Sequence, residues 1–291
     1  MSGNPSGRTN FIKNNRLPFF KVYPPAANLT GLIREFQVYH AKWNEEENLP
    51  QPFITCLANT EQNLYFYIND PVTVIPAGTI KIISPRVVVT GPKFKPVGLL
   101  FGKDHLMIKV AFCPTGTYRL LGIDMQQTVN KGLDATALWG NEVTGIVEQL
   151  RKIASYDAMI EMISAFIDRK FDKACRPEEP IDNIAIRMLD PLSDHTLEKW
   201  ASLACLSLRQ FERNFITRVG ISPKLFIRIA RFEYAMKVKN DFPDKSWAGI
   251  ALECGYTDSS HLLKDFKEFA EFAPGRFYLN PTSGFSEFPT G

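Results

Sequence analysis

Four side chains between residues 209 and 217 carry the types and spacing for recognition chemistry. Arg209, Gln210, Arg213 and Thr217 recur at helical intervals, so on one α-helix they reach outward from a single side. Arg can bond guanine O6 and N7 in two places and Gln can do the same with adenine, which suits both to base edges in a DNA groove. An ordinary solvated helix face carries the same residue types, and both readings stand for this segment alone. Lys224, Arg228 and Arg231 then recur along the next helical stretch, a stripe suited to phosphates. Further on, Ser260, His261, Lys264 and Lys267 share one outer face; a lone His there is more often a surface or capping group than a reader.

Other chemistries lack their residues. Cys56, Cys113, Cys175, Cys205 and Cys254 are scattered, giving neither a CxxC zinc pair nor a disulfide framework, and read as reduced cytosolic thiols. His40, His105, His195 and His261 are equally dispersed, with no HxH or HExxH pair. An enzyme fused to a DNA-reading module would need a zinc-held Cys cluster, a reactive Cys in its own motif or a His cluster. The expectation is therefore no enzyme, no metal and no cofactor. No apolar run has bilayer-spanning length, and the opening MSGNPSGRTNFIKNNR lacks the apolar core of a signal peptide; the expected location is the cytoplasm, away from membranes.

At 291 residues with 45% hydrophobic content, two domains with sizeable cores are expected. Formal charge is only +3, from 34 Lys and Arg against 31 Asp and Glu. The regional balance is less even. Residues 207–240 hold 8 basic against 2 acidic side chains, and residues 241–291 hold 4 against 8. The weak total thus conceals two opposed patches.

The elements that must position these side chains follow from periodicity. Residues 1–16 are polar and read as a mobile tail. Apolar and aromatic runs at 32–43, 53–57, 64–68, 79–83, 86–89 and 105–112, broken by turn residues, predict strands of a sandwich or barrel. After Pro114 the period lengthens: Val143, Ile146, Val147, Leu150 and Ile153 mark one amphipathic helix, and Met159 to Phe171 a second. The Pro-bearing polar stretch 172–183 reads as a linker, and IDNIAIRML after it as a short helix.

Beyond Asp190-Pro191 the pattern is helical throughout. Thr196 caps a short helix burying Leu197, Trp200, Ala201 and Ala204. Ser207 with Gln210 forms a possible capping box for a helix burying Leu208, Phe211, Phe215 and Val219. Gly220 ends it, and Ser222-Pro223 starts a longer helix to about 239. Ser246 and Asp258 then open two more, the last burying Leu262, Leu263, Phe266 and Phe269. Each short pair with a tight turn is a helix-turn-helix arrangement.

This layout resembles AraC/XylS-type transcription regulators. The resemblance is carried in order by Ala201, S-x-R-x-F-x-R-x-F (207–215), G-I-S-P (220–223), Phe226, Arg231 and Ala235. It continues in I-A-L-E-C-G-Y (250–256), Ser260-His261-Leu262, Lys264, Phe266-Lys267, Pro274 and Phe277. It implies base-facing positions at Arg209, Glu212 and Arg213 in the first unit and at Ser259, His261 and Lys264 in the second. Ile250, Ala251, Gly255, Phe266 and Pro274 would hold the fold. This chain has Glu271 and Ala273 where that family usually has Gly and Ser, and Leu262 where an aromatic is common. More loosely, the N-terminal region resembles the cupin-like β-barrel sensor domains of such regulators, through the strand and F-x-P-x-G-x-x-x-L-L-G feature at 105–123.

The expected fold class is α+β. A β-barrel-like domain with appended helices (17–175) is followed by a linker and short helix (176–190). An all-α domain with two helix-turn-helix units joined by a long helix (191–280) comes next, then a tail (281–291). The expected function is sequence-specific binding of double-stranded DNA to regulate transcription, by activation or repression, with RNA polymerase as a partner. The N-terminal domain would sense a small-molecule effector or mediate homodimerisation. The alternative is a regulator working mainly through protein contacts, its second DNA unit degenerate.

Overall fold

Strand alternation sorts the first half of the chain into a closed face and an inner face. The computed structural model describes residues 19–43, 52–76, 80–193 and 195–274. An antiparallel six-stranded sheet runs β1 (Phe19–Tyr23), β2 (Ile33–Lys42), β9 (Asp104–Phe112), β4 (Gln62–Tyr67), β7 (Val87–Thr90), β10 (Gly132–Asp134). A four-stranded sheet runs β3 (Phe53–Cys56), β8 (Val97–Leu100), β5 (Thr73–Pro76), β6 (Ile82–Ile83). On one face of the larger sheet Phe36, Val38, Leu64, Phe66, Ile108 and Val110 lie in one buried cluster with α3 (Asn141–Leu150) and α4 (Tyr156–Ala174). Successive side chains point to opposite faces, so the alternate residues face the smaller sheet, where Tyr67, Val88, Phe101 and Met107 pack with Ile54, Val74 and Leu99. The result is barrel-like, with α1 (Gly116–Leu121) and α2 (Thr136–Trp139) beside it.

The strands expected near 32–43, 53–57, 64–68, 86–89 and 105–112 are present, while the one at 79–83 is reduced to Ile82–Ile83. The tails at 1–16 and 281–291, and the aromatic pair after Gly275, lie outside the described residues. Two differences stand out. The stretch 172–183 is mostly helix, because α4 runs to Ala174 and α5 (Pro180–Arg187) begins at a Pro suited to a first turn. Ile181, Ile184, Ala185 and Met188 of that region then bury in the C-terminal core.

The second half contains α6 (Leu197–Leu203), α7 (Leu208–Val219), α8 (Pro223–Asp241), α9 (Trp247–Glu253) and α10 (Ser259–Phe269). Thr196, Ser207, Ser222, Ser246 and Asp258 cap them, each side chain accepting from a backbone N–H three residues on. Caps of this type contribute roughly 1 kcal/mol each. The core they enclose centres on Phe211, Phe215, Phe226, Phe232, Phe266 and Phe269, all fully buried. Leu263, expected there, is instead 49% exposed. Leu262, Phe266 and Phe269 already fill the inward stripe at i, i+4 and i+7, and Leu263 sits one helical step of about 100° away.

Candidate nucleic-acid interface

Two helix pairs repeat one local geometry. In the first, Leu206 N–H donates to Ala201 O at 3.0 Å; in the second, Tyr256 N–H donates to Ala251 O at 2.9 Å. Both turns pass through a left-handed residue, Cys205 at φ 57° and Gly255 at φ 71°. That conformation reverses the chain sharply enough to set α7 against α6 and α10 against α9. The long α8 joins the pairs, and Phe232 on it makes edge contacts with Phe266 and Phe269 of α10 at 5.3 and 5.5 Å.

Burying Phe211, Phe215 and Val219 turns the other side of α7 outward, where Arg209, Gln210, Glu212 and Arg213 are exposed and Thr217 is half-buried. The Thr217 hydroxyl donates to Arg213 O at 3.1 Å. Gln210 closes the capping box: its Oε1 accepts from Ser207 N–H at 3.0 Å and from Ser207 Oγ at 2.8 Å. With that oxygen engaged, Gln210 keeps only its N–H donors, whereas two-point adenine reading needs both atoms. On α10, Ser259, Ser260, His261, Leu263, Lys264 and Lys267 are exposed. His261 takes part in its own helix cap, its N–H donating to Asp258 at 3.0 Å. Counted from the caps Ser207 and Asp258, Arg213 and Lys264 hold equivalent positions, as do Glu212 and Leu263.

The basic stripe on α8 divides. Lys224 is exposed. Arg228 reaches across to α10, donating to Asp265 at 2.7 Å and Glu268 at 2.6 Å, with its guanidinium over the Phe269 ring. Those carboxylates raise its already high pKa further. Arg231 lies over Tyr256, whose hydroxyl donates to Asp265 at 3.1 Å. Arg228 and Arg231 therefore brace the second unit against the connecting helix. Arg218 of α7 is also internal, 5% exposed and paired with Glu179 and Asp182 beside α5.

These features match a known domain. The model of a family described as a helix-turn-helix domain covers residues 200–279. Residues 200–279 are an AraC-type helix-turn-helix domain. A Haemophilus influenzae protein described as an uncharacterized HTH-type transcriptional regulator is 32% identical over 87 residues, 30% of this chain and 29% of that protein. The HTH-type transcriptional regulator MtrA of Neisseria gonorrhoeae is 29% identical over 87 residues, with the same 30% and 29% shares. The matched region spans under a third of the length of these curated relatives. Among solved structures, ToxT from Vibrio cholerae O395 is similar over 91% of this chain and 98% of its own, at 13% identity and a TM-score of 0.44. The AdpA DNA-binding domain, solved with a target DNA, covers 39% of this chain at 22% identity and a TM-score of 0.33.

Leu263 is the outward residue that sequence reasoning missed, since an apolar side chain beside an apolar stripe reads as core. Its signal was present in the cap: counting from Asp258 aligns it with the outward Glu212. Among the described residues no helix is long and apolar enough to cross a membrane, and no group of three or more His, Cys, Asp or Glu could hold a metal ion.

Proposed function

We propose that the protein is a sequence-specific, double-stranded DNA-binding transcription regulator whose N-terminal domain senses a small molecule or mediates dimerisation. One observation carries this reading: in both helix-turn-helix units the second helix turns basic side chains outward, Arg209 and Arg213 on α7, Lys264 and Lys267 on α10. In this reading Arg213 and Arg209 bond base edges, with Glu212 and Thr217 beside them. Lys224, Lys264 and Lys267 meet phosphates, and Ser259, Ser260 and His261 sit at the N-terminal end of α10, where backbone N–H groups favour phosphate oxygens. Leu263 has the chemistry to touch a thymine methyl. Gln210 and Arg228, engaged in a cap and in ion pairs, act by positioning. A small-molecule effector, contact with RNA polymerase and a homodimer complete the proposal.

The test is a gel-shift titration on fragments selected from the source genome. Arg213→Ala is expected to weaken specific binding by roughly 1–3 kcal/mol while leaving nonspecific binding close to wild type. Equal loss on both kinds of DNA would remove the base-reading role. The competing reading, a regulator acting mainly through protein contacts, requires instead that Arg213→Ala leave transcriptional output unchanged.

A further inference from the structure

The barrel interior contains unmet hydrogen-bonding groups that the DNA-binding reading does not use. Register places Gln37 opposite Lys109, Tyr39 opposite Met107 and Ala41 opposite His105. Tyr65 also faces Lys109, and Asn63 faces Thr90. All these residues therefore share the inner face of the larger sheet. Gln37 Oε1, Asn63 Oδ1, Thr90 Oγ1 and His105 Nε2 are buried there without a hydrogen-bond partner among the described residues. Gln37, Asn63 and His105 are 7%, 1% and 0% exposed. A buried polar atom left unpaired costs on the order of 1–3 kcal/mol, and four on one inner face call for an occupant.

The inner face is also less completely buried than the outer one. Tyr39 and Tyr65 on one sheet, and Ile54, Val74 and Leu99 on the other, face inward yet remain only partly buried. The outer face of the same large sheet is closed tightly beneath α3 and α4. A filled sandwich would bury both faces alike.

The chemistry of the occupant follows from the groups it must satisfy. The Gln37 amide N–H donates to Glu35 at 2.5 Å, and that of Asn63 to Glu61 at 3.1 Å. A carboxylate can only accept, so both amide oxygens are left as acceptors facing the interior. His105 Nδ1 lies 2.9 Å from Asp70 O, another pure acceptor, so Nδ1 carries the proton and Nε2 offers a lone pair. Burial lowers the His105 pKa to about 4, keeping the ring neutral. The inward cation Lys109 is already paired with Glu61 at 2.7 Å. Rings supply the rest of the wall: Phe101 stands edge-on to His105 at 4.8 Å, and Tyr65 and Tyr67 stack at 5.9 Å.

We infer that the space between the two sheets binds an uncharged aromatic molecule that carries O–H or N–H donors toward its ends. This deepens the sensor half of the function proposed above and rests on it. His105 and Lys109, which flank the two ends of the site, are four residues apart on one strand, about 13 Å. A two-ring ligand has the reach to meet His105 at one end and the Gln37–Asn63–Thr90 group at the other. Anionic ligands are disfavoured, because three of the four unmet atoms, Gln37 Oε1, Asn63 Oδ1 and His105 Nε2, can only accept and the inward cation is taken.

Calorimetric titration of the full-length protein with para,para′-biphenol, phenol and biphenyl dicarboxylate tests this. Biphenol is expected to bind at least tenfold more tightly than the dicarboxylate. Asn63→Leu and His105→Phe, checked for an unchanged melting profile, are each expected to weaken it by about tenfold, as the loss of one hydrogen bond would. Should a variant fold poorly, Thr90→Val replaces it and must show the same loss. The inference falls if the dicarboxylate binds as well as biphenol, if neither phenol nor biphenol binds up to about 1 mM, or if the substitutions leave affinity unchanged. Failure in the titration with DNA binding intact removes the ligand site alone. Binding of biphenol with no change in DNA affinity keeps the site and removes its sensor role.

Discussion

Eight basic residues between 207 and 240 make the first unit look like the main source of DNA affinity, yet a side chain's charge matters to DNA only where it faces outward. Arg218 is buried against Glu179 and Asp182. Arg228 bridges to Asp265 and Glu268, and Arg231 lies over Tyr256. Lys239, 7% exposed, donates to the carbonyls of Pro243 and Lys245. Arg209, Arg213, Lys224 and Lys237 are the exposed ones, so half of the local positive charge serves the fold. Arg228→Ala is expected to lower stability by about 1–2 kcal/mol, because Asp265 loses its cation at a site only 6% exposed. The slope of DNA affinity against salt should stay as in wild type. Urea denaturation and salt-dependent binding measure the two effects separately, and a slope reduced by about one unit would restore Arg228 to the phosphate contacts. For the outward residues the order of effect follows from geometry. Arg offers a planar two-point fork where Lys offers a point charge, so Lys264→Ala is expected to cost less specific affinity than Arg213→Ala in the same gel-shift series.

At the scale of elements, the two turns show what backbone strain costs. Cys205 and Glu271 hold positive φ without being glycine, at 57° and 62°, and Glu271 stands where the resembling family usually has Gly. Cys205→Gly is expected to raise stability by about 0.5–1 kcal/mol, since Cys205 is exposed and little packing is lost. Thermal melting checks it; a lower melting temperature would show that Cys205 contributes contacts that outweigh its strain. Gly220 is the converse case. It ends α7 at φ 99°, and a Cβ there would lie 2.7 Å from Val129 and 2.9 Å from Met125 O. At Gly255 the nearest atom, Pro191 O, would be 3.7 Å away. Gly220→Ala is therefore expected to cost more than Gly255→Ala by over about 1 kcal/mol, the steric part adding to the backbone part. The caps and buried stripes of α6 to α10 were legible in the sequence because they depend on residues three or four apart. Strands β1, β5, β8 and β10 were not: β5 and β8 carry Pro or Gly, β10 has three residues, and their pairing depends on distant partners. For the same reason Arg228 and Arg231 read as part of a phosphate-facing stripe until α10 supplied the carboxylates for one and Tyr256 the ring for the other. The inward acceptors of the barrel were equally hidden, since Gln37, Asn63, Thr90 and His105 meet only through strand register.

The whole molecule is joined where the β3–β4 connection enters the helical domain. Leu57 and Ala58 belong to the C-terminal core, and Ala58 N–H donates to Phe269 O, a carbonyl that the end of α10 leaves unmet. Gln62 donates to the carbonyls of Arg218 and Val219 at the end of α7. One short segment thus holds the final turns of both outward-facing helices, so a change in the barrel has a physical route to both units. Between these contacts Thr60 donates its N–H at 3.0 Å and its hydroxyl at 2.7 Å to Glu233 of α8. Burial, with Glu61 nearby, pushes Glu233 up to about 7 despite the Thr60 donors and Arg34. Burial acts on Glu61 as well, but Lys109 and Arg34 outweigh it and hold that carboxyl well below the usual range. A carboxyl with a folded pKa above its unfolded value contributes fully below about 4.5 and loses that contribution as pH rises through about 7. The link between connecting helix and barrel is therefore expected to weaken from pH 5 to pH 8. Glu233→Gln keeps an acceptor for Thr60 and removes the titration. Its stability relative to wild type should rise across that interval by roughly 1–2 kcal/mol, read from urea denaturation at each pH. A difference that stays constant from pH 5 to pH 8 would mean that Glu233 is already ionised throughout, and that the junction between barrel and helices does not respond to protons.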